Sequence, residues 1–357
     1  MNTNRILVIG GYGEVGRRLT AQLEATQPNR VIVAGRHPET AGAAGARRPD
    51  VDDAASIESA LDGVGVVVAC VRQREPNLLR AAVRRGIGYT SIAPPRIPPF
   101  ETELLAAEAK RTGARIILAA GLEPGITSVL VRAAADRLGH VDSVETALLL
   151  GLGDTYGSDS LAFLFAELSQ PYSIVVDGKP QVVNAFDGST LIDFPAPVGS
   201  RRAYPMPFTD QLYYPSTVGA KTAVARIALD PPWLADALAT LLPLGLRRLL
   251  RPGGSRGAVH QLIGKLRARY AGQDLYALVA EVRAGGRMIR ATLVGRGQAA
   301  ATAVGASAIV EALWSREMDQ PGVWLAEQVV AVQPFFARLA AQGIVPTTED
   351  IVVSESQ

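Results

Sequence analysis

Residues 11–16 read Gly11-Tyr12-Gly13-Glu14-Val15-Gly16, three glycines spaced as G-x-G-x-x-G, and their flanks decide what the chain can become. Before them runs Arg5–Gly10 (RILVIG), a short apolar stretch of the kind that forms a strand buried on both faces. After them Val15, Leu19 and Leu23 recur at i, i+4 and i+8, which lays them on one face of a helix. Pro28 and Asn29 stop that pattern, and Val31–Ala34 (VIVA) supplies a second strand. Strand, glycine turn, amphipathic helix and strand within about 30 residues predict the opening unit of a doubly wound parallel sheet, an α/β fold of the Rossmann type.

Each glycine has an expected task. Gly11 permits a tight turn out of the strand, Gly13 leaves its backbone open to a pyrophosphate, and Gly16 lets the helix pack close to the strand. The helix N-terminus then offers free N–H groups and a positive dipole end to phosphate. Gly11, Tyr12, Gly13, Glu14, Val15 and Gly16 are therefore the expected diphosphate loop of a dinucleotide site. At the end of the second strand stand Gly35, Arg36 and His37. No carboxylate is there to hold ribose hydroxyls, and Arg36 can pair with a 2′-phosphate and stack on adenine, which selects NADP(H) over NAD(H). A solvated surface arginine is the plainer alternative.

Further along, Pro49–Asp52 reads as the end of a third strand, placing Asp50 and Val51 near the adenine. Ser56–Leu61 reads as a helix. Val64–Val71 is a strongly apolar strand whose carboxyl end, Cys70, Val71 and Arg72, is expected to face the cofactor. Helices are predicted over Glu75–Arg85 and Glu101–Arg111, and strands over Tyr89–Ile92 and Arg115–Ala120. Gly121–Ser128 forms a second glycine-containing turn into a helix. Its N–H groups suit a substrate carboxylate or the nicotinamide end, and a simple cap by Thr127 or Ser128 fits equally.

With 357 residues the chain has room for two domains. A net charge of +2 argues against a polyanion such as nucleic acid as partner. Cys70 is the sole cysteine, which excludes an intrachain disulfide and a cysteine-based zinc site. His37, His140 and His260 show no metal-ligand spacing. The N-terminus lacks the pattern of a secretory signal, so a cytoplasmic location is expected. Trp233–Leu250 is mostly apolar, but Asp236, Pro243, Gly245, Arg247 and Arg248 interrupt it, so no transmembrane segment is expected and the stretch reads as a core or subunit-interface helix, with lipid-surface association as the alternative.

From Val141 the texture becomes sheet-rich, with hairpin turns at Asp177-Gly178 and Gly285-Gly286. This middle region is expected to be a separate α+β domain. It supplies Tyr213, Lys221 and His260 as candidate catalytic groups. Each also has a bland reading: Tyr213 as a core aromatic, Lys221 as a surface cation, His260 as a helix cap. Two helices, from Ala299 to Arg316 and from about Leu325 to Gln342, close the chain.

Together, Gly11–Gly16 with Gly35-Arg36, the turn Gly86-Ile87-Gly88-Tyr89, Ala120–Gly125, and Pro321-Gly322-Val323 through Glu327 resemble the saccharopine dehydrogenase/reductase-like oxidoreductases. The resemblance implies a discontinuous NADP-binding domain (residues 1–125 with about 299–357) around a substrate and dimerisation domain (126–298), working as a homodimer. It implies hydride transfer at a carbon–nitrogen bond of an amino-acid-like amine or imine, with Tyr89, Ser91, Gly125 and Thr127 near the substrate. Ser91 stands where many relatives carry an acidic residue, and the signature of the lysine-handling members is absent, so saccharopine itself is not the expected substrate. A non-catalytic NADP(H) sensor or scaffold and a cofactor-assisted isomerase stay open at this point, because fold does not fix function.

Overall fold

The computed structural model describes residues 5–35, 47, 49–93, 97, 99–151, 153, 167–250 and 273–352. In chain order the first stretch gives β1 (Arg5–Ile9), α1 (Glu14–Thr26), β2 (Val31–Ala34), α2 (Ala54–Ala60), β3 (Val64–Ala69), α3 (Asn77–Arg85), β4 (Gly88–Ser91), α4 (Pro99–Thr112) and β5 (Arg115–Ile117). Next come α5 (Ile126–Leu138), β6 (Ser143–Gly151), β7 (Pro171–Val176), β8 (Lys179–Asn184), β9 (Thr190–Phe194), β10 (Gly199–Pro205), β11 (Thr222–Asp230), α6 (Pro232–Leu241), β12 (Leu275–Ala284) and β13 (Arg287–Arg296). The chain ends with α7 (Gln298–Trp314), β14 (Gly322–Trp324), α8 (Val332–Ala341) and β15 (Thr347–Val352). It divides into two compact units, Met1–Ile126 with Ala299–Gln342, and Thr127–Gln298 with Gly343–Gln357.

In the first unit six strands run in the order β2-β1-β3-β4-β5-β14, all parallel. Ile6, Leu7, Val8 and Ile9 are buried, as are Val66, Val67, Val68 and Ala69 on β3, which is why these strands read as unbroken apolar runs. The chain leaves β1 toward β2 on one side and returns to β3 on the other, so the order reverses between β1 and β3. That crevice is the topological switch point, where ligands of open α/β sheets sit beyond the carboxyl ends of the strands. Helix α1 buries Gly16, Leu19 and Leu23. The inner face is thus one residue round from the expected Val15 stripe, with Val15 on the flank. Helix α7 is rich in alanine and buried almost all round, and its Gly305 abuts the Ile126 side chain, 2.7 Å from where a Cβ would stand.

Two expectations about this region need correction. Residues 49–53 form a turn before α2, not a third strand; among the described residues between β2 and α2, the Arg47 backbone pairs with the sheet, bridging to Ala34. Asp50 caps that turn by accepting the Asp52 N–H at 2.9 Å, and Asp53 accepts the N–H groups of Ala55 and Ser56 at the start of α2. The short polar side chains that looked like a strand end are caps, because backbone donors there have no ladder to join. The second correction concerns the end of the chain: β15 pairs antiparallel with β13, so residues beyond 343 belong to the second unit and not the first.

The second unit is built on a nine-stranded mixed sheet, β15-β13-β12-β6-β11-β10-β9, with β7 pairing β11 and β8. Strands β6 and β11 run parallel and the remaining pairs antiparallel. Both hairpin turns read from the sequence are present, joining β7 to β8 and β12 to β13. Ala147, Leu149, Ile192, Phe194, Ala277 and Val279 share a core on one side of this sheet. The apolar stretch after α6 is interrupted at Gly245 (φ 122°), and Leu241, Leu244 and Leu249 are exposed, so it is not a core helix. Among the described residues no helix is long and apolar enough to cross a membrane. Removing the α2 cap with Asp53→Ala should lower stability by about 1 kcal/mol, read as a shift of the urea midpoint at unchanged slope.

Candidate functional site

The glycine loop leaves β1 through Gly10, whose φ of 78° places it in the left-handed region that glycine tolerates. The tight turn therefore belongs to Gly10, and the assignment to Gly11 is corrected. Gly11 is small for a different reason: a Cβ there would lie 2.5 Å from the Val33 side chain on β2. Gly16 packs α1 onto the turn, since a Cβ on it would run into the Gly10 carbonyl oxygen and stand 2.8 Å from the Gly11 Cα. The fingerprint thus overlaps a second spacing, Gly10, Gly13 and Gly16, and the adjacent pair Gly10-Gly11 was the available signal.

Gly13 is exposed and forms the N-cap of α1 with no side chain capping the helix. Its N–H donates to the Gly10 carbonyl at 3.0 Å, and its carbonyl accepts from Arg17 at 3.0 Å. A helix start has N–H groups without intrahelical partners, so an uncapped, exposed one presents them to an anion. Glu14 in the first turn would oppose such an anion, but Arg17 and Arg18 both pair with it. The hydrogen bond from Arg18, with the Arg17 charge beside it, holds the Glu14 carboxyl below its ordinary range.

On the β2 side, the Tyr12 ring lies over Gly35: a Cβ at Gly35 would come within 2.8 and 2.9 Å of two ring carbons. The position where a carboxylate would project is thus filled by the loop's own aromatic ring. The Gly35 N–H also donates to the Arg47 carbonyl at 3.1 Å. Arg36 and His37 lie outside the described residues, as does His260 in the second unit.

On the β3 side, Cys70 and Val71 meet the loop directly, with a Gly10 Cβ position 2.5 Å from Val71 Cγ1 and 3.2 Å from the Cys70 carbonyl. The Cys70 N–H is bonded to Ile9 at 2.7 Å, so the two strand ends continue side by side into the switch point. Desolvation pushes the Cys70 thiol up from 9.0 to about 12. Arg72 follows at the same edge.

Tyr89 and Ser91 are completely buried on β4, which corrects their assignment as groups that touch substrate. Ser91 Oγ donates to the Ala69 carbonyl at 3.2 Å and accepts the Ala93 N–H at 3.1 Å. Tyr89 Oη receives a hydrogen bond from Gln73 Nε2 at 3.0 Å. Burial raises the Tyr89 phenol to about 12, against the opposing hydrogen bonds of Gln73 and Ser91. Gln73 was not singled out in the sequence, because nothing in its local pattern marks it. In the turn before α5, Gly121 and Gly125 bridge each other; the Gly121 N–H is spent on Pro124 at 2.9 Å and the Ile126 N–H on Gly121 at 3.0 Å. Those two donors are therefore closed to a ligand. Thr127, the first residue of the second unit, is fully buried.

Also in the second unit, Tyr213 is half-buried, and its carbonyl accepts the N–H groups of Ser216 and Thr217 at 2.9 Å. Lys221 is exposed and pairs with Asp142 at 2.9 Å. Asp142 also accepts the Gly285 N–H at 2.9 Å. Lys221 is thus half of a surface clip that joins the β6 and β11 ends to the β12–β13 turn, in line with the bland reading of it as a surface cation.

The fold has solved counterparts. Saccharopine dehydrogenase (L-Glu forming) from Saccharomyces cerevisiae is 16% identical, with 98% of this chain and 100% of that chain covered at a TM-score of 0.69. The chain therefore has the two-domain fold of the saccharopine dehydrogenase-like oxidoreductases. A WlbA dehydrogenase from Thermus thermophilus, solved with NAD and α-ketoglutarate, aligns over 99% of this chain and 97% of that one, at 12% identity and a TM-score of 0.43, and adds nothing to that conclusion. No family model matches the sequence, and no curated protein matches it.

The close approach at Gly16 makes a specific demand. Gly16→Ala should lower stability by at least ~2 kcal/mol, whereas Gly63→Ala, strained only by its φ of 71° with open space around it, should lower it by about 1 kcal/mol. Equal midpoint shifts in urea would contradict the packing role. For Cys70, a thiol raised from 9.0 to about 12 should react with a disulfide reagent at pH 8 on the order of a thousandfold more slowly in the folded protein than in urea.

Proposed function

We propose that this chain is an NADP(H)-dependent oxidoreductase that acts on the carbon–nitrogen bond of an amino-acid-like imine or secondary amine. The observation that carries the reading is the exposed, uncapped start of α1 at the switch point between β1 and β3. An anion-accepting helix end at that place in a parallel sheet suits the diphosphate of a dinucleotide. The residues present fit such a group: Gly13 adds no side chain to the approach, and Arg17 and Arg18 pair with the acidic Glu14 of the first turn.

Glu14, Val15 and Gly16 would hold the diphosphate through backbone N–H groups, with Gly13 leaving the approach free of a side chain. Tyr12 and Gly35 would flank the adenosine ribose, with Arg36 meeting the 2′-phosphate. Cys70, Val71 and Arg72 would border the nicotinamide half. When bound, the dinucleotide supplies a carbon that gives or takes hydride. The chain's own work is to orient that carbon against the substrate and to exclude water from the reacting pair. The C–N substrate class rests on the resemblance to the saccharopine dehydrogenase-like enzymes, with the full-length similarity of fold as support.

Titration calorimetry should find NADPH bound at least about tenfold more tightly than NADH, and Arg36→Asp should invert that order. Steady loss of NADPH absorbance with cyclic imines, or with keto acids plus amines, should then identify turnover. Absence of binding to either nucleotide would remove the cofactor reading, and tight binding without turnover on any such substrate would remove the enzymatic one.

A further inference from the structure

Gln73 is 8% exposed and lies four residues beyond the end of β3, on the side of the switch point away from β2. Its Nε2 donates to Tyr89 Oη at 3.0 Å. Behind the phenol, Ser91 Oγ donates to the Ala69 carbonyl at 3.2 Å and accepts the Ala93 N–H at 3.1 Å, and Ser91 also bonds the phenol. Gln73 Oε1 is the free end of a chain of hydrogen bonds anchored in the sheet. It is buried and has no hydrogen-bond partner among the described residues. Folded proteins pair nearly all such atoms, so an unpaired acceptor held in place by a rigid relay marks where a donor arrives.

The donor's chemistry follows from position. A dinucleotide lying across the switch point puts its adenosine half over β2 and its other half over β3 and β4. On that second half, the nicotinamide carboxamide carries a planar NH2 group suited to a neutral amide oxygen. We propose that Gln73 Oε1 accepts a hydrogen bond from this carboxamide and thereby fixes which face of the ring turns toward the substrate, with Tyr89 and Ser91 as positioning residues behind it. This rests on the cofactor reading above.

The test compares wild type with Gln73→Met, similar in length but without an amide acceptor. Both are titrated with NADP+, with its 3-acetylpyridine analogue, whose methyl ketone cannot donate, and with 2′-phospho-ADP-ribose, which lacks the nicotinamide altogether. Wild type should prefer NADP+ over the analogue by about tenfold. Gln73→Met should bring that ratio close to one while 2′-phospho-ADP-ribose binds as before. An unchanged ratio, with 2′-phospho-ADP-ribose still bound, overturns the Gln73 assignment and leaves the cofactor reading standing. Failure of wild type to bind any of the three overturns both. Should Gln73→Met also lose 2′-phospho-ADP-ribose, Gln73→Glu decides: it retains an acceptor and must keep the preference, and loss of preference there overturns the proposal.

Discussion

The contact between Gly16 and the Gly10 carbonyl is the constraint on which the rest of the first unit depends. It fixes how near α1 comes to the end of β1, and so where the first N–H groups of that helix point. Were the helix an ångström or two further out, Gly10 would lose its packing against Cys70 and Val71, and the ends of β1 and β3 would no longer close around one crevice. A single backbone approach thus couples the turn, the helix dipole and the neighbouring strand end, which is why four glycines in seven residues stand where a solvent loop would manage with one.

Around that contact the two sides of the crevice are finished differently. On the β2 side the chain removes a side chain at Gly35 and fills the space with the Tyr12 ring. On the β3 side it does the opposite and builds a buried polar relay from the Ala69 carbonyl through Ser91 and Tyr89 to Gln73. A site that takes an asymmetric ligand gains its orientation from such a difference between its two sides.

The fold was legible because its signals are periodic and local. Apolar runs separated by glycine turns gave the parallel strands, and the Asp177-Gly178 and Gly285-Gly286 pairs gave the hairpins. What was misread depended on three-dimensional neighbours. Gly10 and Gly11 are indistinguishable in a string, and only the backbone turn and the nearness of Val33 separate their roles. Asp50 looked like the end of a strand because a cap and a strand end use the same small polar residues. Strand β15 is exposed and edge-bound, so it carries no alternating apolar pattern to announce it. Tyr89 and Ser91 were expected near the substrate from the family resemblance, yet pairing with β3 and β5 closes them inside the sheet, where Tyr89 meets Gln73, a residue with no sequence signature at all.

The same burial limits what chemistry the first unit can contribute. Proton transfer near neutral pH needs a group whose pKa lies near the working value. At the carboxyl edge of β3 and β4 the two titratable groups with large shifts, Cys70 and Tyr89, are both raised to about 12, in each case chiefly by desolvation. Each therefore stays protonated through the physiological range. On the proposed reading this edge binds and aims but does not protonate: its amide and hydroxyl dipoles are fixed before the ligand arrives, which is the condition under which polar groups orient a reaction without having to rearrange during it.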